Sequence, residues 1–164
     1  MIQSGEVLRF AQAADIKTLI KLRIEFLDED YGGLTLQQKE TIAAQLGDYF
    51  ILHLGRDCFV PLLELDGRVV STAMLVLYER PANPSFPTGK TGMLYSVYTL
   101  PAHRRKGYST RVLKSLIQKA RELGASYIDL SASKDGKPLY ELLGFTEPQS
   151  RYTEMRLNLL EKEG

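Results

Sequence analysis

The sequence predicts one α/β domain in which helices cover a mixed sheet, and three observations support this. Strand-like and helix-like apolar patterns alternate along the chain, which is typical of helices packed on a sheet. Asp66-Gly67 separates two apolar runs, and this arrangement is the strongest local signal for a β-hairpin. The length of 164 residues fits about one domain, so we expect residues 1–164 to form a single domain.

The first half of the chain is predicted to contain three strands and two helices. Apolar side chains recur every three or four residues after Asp15, and the stem of Arg23 belongs to this stripe. Thr35 and Gln38 form a capping-box pattern that opens the next helix. In order, we expect a strand at Glu6–Phe10, a helix from Asp15 to Gly32-Gly33, a helix from Thr35 to about Phe50, and hairpin strands at Cys58–Leu65 and Arg68–Tyr78.

The second half is predicted to hold four more strands and two more helices. Prolines and glycines in the connector Glu79–Gly92 exclude a helix or a central strand there. Such a connector is either a surface link or a loop over a substrate cleft. The elements that follow are a strand at Met93–Leu100, a helix at Lys106–Leu123, a strand at Ser126–Ala132, a short helix at Lys137–Leu143, and strands at Phe145-Thr146 and Tyr152–Leu159.

The composition excludes several classes of function. The charged residues, 21 Lys and Arg against 20 Asp and Glu, leave a net charge of +1, so no overall field draws the chain to nucleic acid or to an acidic membrane. No run of about 18 apolar residues is present, so we expect no membrane span. The single cysteine, Cys58, cannot form an internal disulfide, which suits a cytoplasmic protein.

The start of the predicted helix Lys106–Leu123 runs against the usual charge preference. A helix N-terminus carries a partial positive charge and favours Asp or Glu, yet Arg104, Arg105 and Lys106 stand here without a carboxylate. A bound polyanion would explain this, because free N–H groups, helix dipole and cations would all face phosphate, and Gly107 would let it approach closely. A solvated basic turn and a nucleic-acid patch are the alternatives. The near-zero net charge argues against the nucleic-acid patch.

Two motifs in this region resemble those of the GNAT acetyltransferases. The run from Thr99 to Ser109 is similar to their acetyl-CoA loop, Arg/Gln-x-x-Gly-x-Gly/Ala after a strand end. Leu139-Tyr140-Glu141-Leu142-Leu143-Gly144-Phe145 is similar to their second signature, at the usual separation. The resemblance covers about residues 6–157. It implies a mostly antiparallel sheet of about seven strands with helices on both faces, splayed between the fourth and fifth strands where the cofactor lies.

The resemblance also implies a reaction and a set of site residues. Acetyl-CoA would be the co-substrate, a primary amine of a small molecule or peptide would attack it directly, and Tyr140 would protonate the departing thiolate. A disturbance of the strand near Val97 to Thr99 could free a backbone N–H for the oxyanion. The residues expected to bind acetyl-CoA are Val97, Tyr98, Thr99, Arg104, Arg105, Lys106, Gly107, Tyr108, Ser109, Thr110 and Ser133.

Three departures from the family pattern leave questions open. Ser109 stands where Gly or Ala is usual, so its hydroxyl could donate to phosphate or crowd it, and Ser133 stands where an Asn is common. The strand Met93–Leu100 has no glutamate, so the general base is unassigned. The carboxylates near the expected cleft are Glu29, Asp30 and Glu79. The missing glutamate and Ser133 also support an alternative function, a non-catalytic sensor that binds acyl-CoA.

The other reactive side chains suggest no further site. His53 and His103 have no second ligand at metal-binding spacing, so we expect no metal site. We expect Cys58 to be a buried strand residue and not an acyl-carrying thiol. Apart from the amine substrate we expect no nucleic-acid or membrane partner, and a homodimer through the terminal strands is left open.

Overall fold

The structure is a computed structural model that describes residues 5–160. These residues fall into two compact units, one up to Ser131 and one from Ala132 onwards, and each is treated by itself. The helices and strands of the described residues are β1 (Glu6–Phe10), α1 (Ile16–Asp30), α2 (Leu36–His53), β2 (Cys58–Phe59), β3 (Pro61–Leu65), β4 (Arg68–Glu79), β5 (Lys90–Thr99), α3 (Tyr108–Glu122), β6 (Ile128–Asp129) and α4 (Lys137–Leu142). Short 3₁₀ turns at Ala13–Asp15 and Pro101–His103 precede α1 and α3.

A mixed, mostly antiparallel sheet organises the first unit, as the sequence predicts. Its order is β1-β3-β4-β5-β6, with β2 on one end of β4, and only the β5–β6 pair is parallel. Side chains alternate between faces, so Met74 and Val76 of β4 join the core formed with α1 and α2. The alternate residues, among them Leu75, point to the opposite face, and α3 packs on β3, β4 and β5. Within residues 5–160, no helix has the length and apolarity to cross a membrane.

The sheet opens between β5 and β6, the fourth and fifth of the predicted strands. The two strands pair only at Gly92 with Ile128 and at Met93 with Asp129. From Leu94 to Thr99, this edge of β5 has no ladder partner among the described residues. The predicted splay is therefore confirmed, and it exposes backbone groups of β5 along the second half of the strand.

The local signals in the first half are confirmed, and one predicted strand is divided. Asp66 and Gly67 both have positive φ, 48° and 78°, as a tight hairpin turn requires. Thr35 and Gln38 cap α2 reciprocally. The predicted strand Cys58–Leu65 is interrupted at Val60, because β2 pairs only with β4 whereas β3 pairs with both β1 and β4.

The connector before β5 is shorter than predicted. Glu79 belongs to β4 and residues 90–92 belong to β5, so the exclusion of a central strand from Glu79–Gly92 is wrong at both ends of the connector. Gly92 shows why glycine fits here: a Cβ atom would lie 2.8 Å from Leu75 Cδ1 and 3.5 Å from Ile128 Cγ1. The glycine allows the two strands beside β5 to approach closely at the closed end of the splay.

The predicted C-terminal strands are wrong. The strand predicted at Ser126–Ala132 is reduced to β6, and neither Phe145-Thr146 nor Tyr152–Leu159 forms a strand, so the described residues contain six strands and not about seven. The side chains of Met155, Leu157 and Leu159 are 82–93% exposed. Alternating apolar residues define a strand face, but a strand also needs a hydrogen-bonded neighbour, and residues 132–160 contain no strand.

Candidate active site

The turn before α3 presents free backbone donors. Arg105 and Gly107 have φ values of 64° and 79°, and Gly107 is the N-cap of α3 without a side-chain cap. The first turn of α3 contains no acidic residue. Because the first N–H groups of a helix have no partner within the helix, this turn offers several amides to an anion. A Cβ atom on Gly107 would meet nothing within 4 Å in this chain. Glycine is therefore favoured at this position by its positive φ and not by a lack of space.

The three cations of this turn have different roles. Arg104 donates from Nε to the Thr99 carbonyl oxygen at 2.8 Å and from Nη2 to Glu29 Oε2 at 2.9 Å. Hydrogen bonding to Arg104 lowers the pKa of Glu29. Arg104 thus ties the turn to β5 and α1. Arg105 and Lys106 are exposed, and neither forms an ion pair with another described residue, so they are the cations available to a ligand.

Ser109 turns its hydroxyl towards the sheet. Its Oγ lies 2.8 Å from Thr99 Oγ1, which lies 2.7 Å from Ser71 Oγ. These three hydroxyls form a hydrogen-bonded row from β4 through β5 to the first turn of α3. The side chain at this departure from the family pattern is therefore held against the strand.

A bulge interrupts β5 within the splayed stretch from Leu94 to Thr99. One more residue lies between Tyr95 and Tyr98 than between their partners Met74 and Thr72 on β4. Ser96 lies inside this interval and has a φ of 50°, which is uncommon for a residue with a side chain. A bulge leaves backbone groups outside the ladder, so the strand disturbance expected near Val97 is present one residue earlier.

The side chain of Tyr98 belongs to the packing of α1. Its ring meets Phe26 edge-on at a centroid distance of 6.1 Å and is only 8% exposed. Burial raises the pKa of its phenol. Of the three β5 residues predicted to bind the cofactor, Tyr98 thus has its backbone and not its ring available to a ligand.

A cavity of about 650 Å³ lies beside the bulge, between α1, α2 and the sheet. Tyr95 of β5 and Met74 of β4 line it, and so does Arg23 of α1. Arg23 also donates from Nη1 to Ser96 Oγ at the bulge. In the sequence, Arg23 occupies a position of the apolar helix stripe. This position is the sequence signal from which its inward orientation could have been inferred.

The second unit contains the other predicted site residues. Tyr140 on α4 is half-buried and meets Phe145 edge-on at a centroid distance of 5.9 Å. Burial raises the pKa of its phenol. Ser133 precedes the helix, and its Oγ accepts a hydrogen bond from the Gly136 N–H at 3.1 Å. The Ser133 side chain thus stabilises the turn before α4, the helix that carries Tyr140.

None of the three candidate bases lines the cavity. Glu29 is held by Arg104, and the lowered pKa makes its carboxylate a weaker base. Asp30 and Glu79 are exposed at the ends of α1 and β4.

His53 is bonded through Nδ1 to Asp57 at 2.8 Å and stacks on Tyr49. Within the described part of the chain, no group of three or more His, Cys, Asp or Glu side chains is placed to hold a metal ion.

Cys58 should be inert in the folded protein. The thiol is 0% exposed, and burial raises its pKa to about 12. We expect the native protein to leave a chromogenic disulfide reagent unreacted at pH 8, and the urea-unfolded chain to release one equivalent. Rapid reaction of the native chain would contradict this burial.

Comparison with known proteins agrees with the fold and shows the family of the chain. A model of the acetyltransferase (GNAT) family matches residues 20–145, so the chain belongs to this family. A predicted acetyltransferase from Clostridium acetobutylicum, solved with acetyl-CoA, is 28% identical with a TM-score of 0.80, covering 92% of this chain and 96% of that one. A GCN5-related N-acetyltransferase from Ralstonia eutropha JMP134 is similar in fold, at 21% identity, a TM-score of 0.75 and coverage of 92% and 99%. No curated protein sequence matches the chain.

Proposed function

We propose that this protein transfers an acetyl group from acetyl-CoA to a primary amine of a small molecule or peptide by direct attack. The observation that carries the proposal is the arrangement along β5. The bulge at Ser96 adjoins the cavity, and the same strand leads into the uncapped cationic turn before α3. The proposed diphosphate site and the proposed acceptor site would therefore lie at the two ends of one short segment of β5.

The residues around this segment fit acetyl-CoA. Arg105 and Lys106, with the amides of Gly107, Tyr108, Ser109 and Thr110, would hold the diphosphate, and Arg104 would position the turn. Backbone groups of Val97, Tyr98 and Thr99 on the open edge of β5 would bind the pantetheine arm. The similar Clostridium acetobutylicum protein, solved with acetyl-CoA, supports acetyl-CoA as the co-substrate. Ser133 is proposed to contact acetyl-CoA because of its position in the family pattern.

The reaction needs an oxyanion donor and a proton for the thiolate. Acetyl-CoA supplies a thioester carbonyl, at which a C–N bond forms and the C–S bond breaks, giving an amide and the thiol. A backbone N–H freed by the bulge would stabilise the negative charge on the carbonyl oxygen. Tyr140 would give its proton to the sulfur, and its raised pKa keeps the phenol protonated at neutral pH.

The amine must also lose a proton. The cavity lining contains no carboxylate that would stabilise an ammonium ion. Removal from water disfavours the charged amine and lowers its pKa, so the neutral nucleophile becomes more abundant. We therefore assign proton removal to water and not to a side chain of the cavity.

The single-domain prediction and the predicted location belong to this proposal. The family match at residues 20–145 includes parts of both compact units, which supports one acetyltransferase domain over residues 1–164. The cytoplasmic location, suggested by the single cysteine, stays a prediction.

The direct test measures acetyl-CoA binding by calorimetry and thiol release with a panel of amines. We expect saturable binding and amine-dependent release of one thiol for each amide formed. Tight binding without turnover of any amine or peptide would indicate the sensor function instead. Absence of binding would contradict the assignment of the turn.

A further inference from the structure

Arg23 differs from the other half-buried arginines of the described residues. Arg9 is bonded to Asp15 and Glu64, and Arg111 to Glu6, so each has a carboxylate partner. Arg23 has no carboxylate partner among residues 5–160, and its guanidinium donates a hydrogen bond to the Ser96 hydroxyl. A guanidinium that is partly removed from water without a counter-charge is costly, which suggests that a ligand supplies the missing anion.

The wall of the cavity supports this reading. Arg23 is the one cation among the lining residues, and the lining holds no carboxylate. Most of the remaining wall is aromatic or aliphatic, and it includes four tyrosines, Tyr31, Tyr49, Tyr78 and Tyr95.

We propose that the acceptor is an amino acid whose carboxylate binds Arg23 and whose aromatic or large apolar side chain fills the cavity. This inference rests on the proposed acetyl transfer and specifies its substrate class. A carboxylate matches a guanidinium with two parallel hydrogen bonds and one unit of charge. One cation leaves a phosphate dianion only half neutralised, so a carboxylate fits the charge better.

The position of Arg23 also suits the reacting group. Arg23 is bonded to Ser96, the residue of the bulge that provides the proposed oxyanion donor. In an α-amino acid the carboxylate and the amine share one carbon atom. A carboxylate held at Arg23 therefore brings the amine to the bulge, while the side chain points towards the tyrosines.

Three matched amines test this substrate class, namely phenylalanine, phenylalaninamide and phenethylamine. For the wild type we expect kcat/KM for phenylalanine to exceed that for the two neutralised analogues by about 10- to 100-fold, the value of a charge-assisted pair. In Arg23→Gln this preference should disappear while the affinity for acetyl-CoA is unchanged. Arg23→Lys should restore part of it.

Two further variants separate carboxylate binding from support of the bulge. Ser96→Ala removes the hydrogen bond but leaves the guanidinium, so the preference for phenylalanine should persist even if all rates fall. If Ser96→Ala abolishes the preference as Arg23→Gln does, Arg23 acts only on the bulge and the inference is overturned. Arg56→Gln removes an exposed arginine outside the cavity and should change neither rate nor preference.

The outcomes distinguish this inference from the proposed function. Equal turnover of the three amines, or a preference for a phosphate-bearing amine, would overturn the substrate class and leave acetyl transfer intact. If no amine reacts, calorimetry with phenylalanine in the presence of CoA decides. Binding that is lost in Arg23→Gln supports the carboxylate site and counts against catalysis, whereas absence of binding overturns the inference.

Discussion

Gly107→Asp is expected to weaken acetyl-CoA binding by about 100-fold, because it places a carboxylate among the amides proposed to hold the diphosphate. A like charge at a ligand contact costs several kcal/mol, and about 2.8 kcal/mol corresponds to a factor of 100. The folded chain should accept the side chain, since a Cβ atom there meets nothing within 4 Å. Aspartate also tolerates the φ of 79° better than most residues do. Calorimetry with acetyl-CoA measures the effect.

Two matched variants isolate the charge from the backbone conformation. Gly107→Asn has the same size and a similar tolerance of positive φ, so it should retain much more affinity than the aspartate. Gly55 also has a φ of 79° and open space around it but follows α2, so Gly55→Asp should leave binding unchanged. If the aspartate and asparagine variants of Gly107 bind acetyl-CoA as the wild type does, the turn does not hold the diphosphate.

The features of the fold that could be predicted are those with local causes. The side chains of Thr35 and Gln38, three residues apart, each accept a hydrogen bond from the other's backbone N–H. Asp66 and Gly67 adopt the two positive φ values that their hairpin turn requires. The helix before the second motif was also predicted to within two residues, since its apolar stripe repeats through α3. Each signal acts within a few residues, so sequence alone is sufficient to interpret it.

Strand pairing could not be predicted in the same way, because it depends on distant parts of the chain. Gly92 has poor strand propensity, yet it lies in β5 because Leu77 and Ile128 flank it on both sides. Conversely, Met155 and Leu157 alternate as in a strand, but none of residues 132–160 forms a strand beside them. The alternation of apolar residues predicts which face of a strand is buried, whereas the neighbouring strand that pairs with it is set by distant parts of the chain.

In the candidate site, too, features with local causes could be predicted from the sequence and features with long-range causes could not. The cationic turn was recognisable from charge and motif, but the distinct role of Arg104 depends on Glu29, which lies on another helix. The bulge at Ser96 follows from a register shift between strands and has no sequence signature. Arg23 was visible as a charge in an apolar stripe, but the usual explanation is a buried stem with an exposed head. Its significance depends on the cavity that α1 and α2 form together with the sheet.

Tyr140→Phe is expected to lower kcat by about 100- to 1,000-fold at pH 7, within the usual range for loss of a general acid. The substitution keeps the ring that packs on Phe145, so the fold and the affinity for acetyl-CoA should be retained. Because burial raises the pKa of this phenol, the wild type should keep its acid throughout the neutral range. Its activity should fall only as the pH rises through that raised pKa, and this limb should be absent from the variant.

The matched control for Tyr140→Phe is Tyr152→Phe, which removes an exposed hydroxyl from the same unit. Tyr152 is 70% exposed and its hydroxyl accepts a hydrogen bond from Arg151, so this variant should turn over at the wild-type rate. Pre-steady-state thiol release shows whether the chemical step limits turnover. If that step is equally fast in wild type and Tyr140→Phe, the thiolate takes its proton from another source, and the motif tyrosine serves only to pack against Phe145.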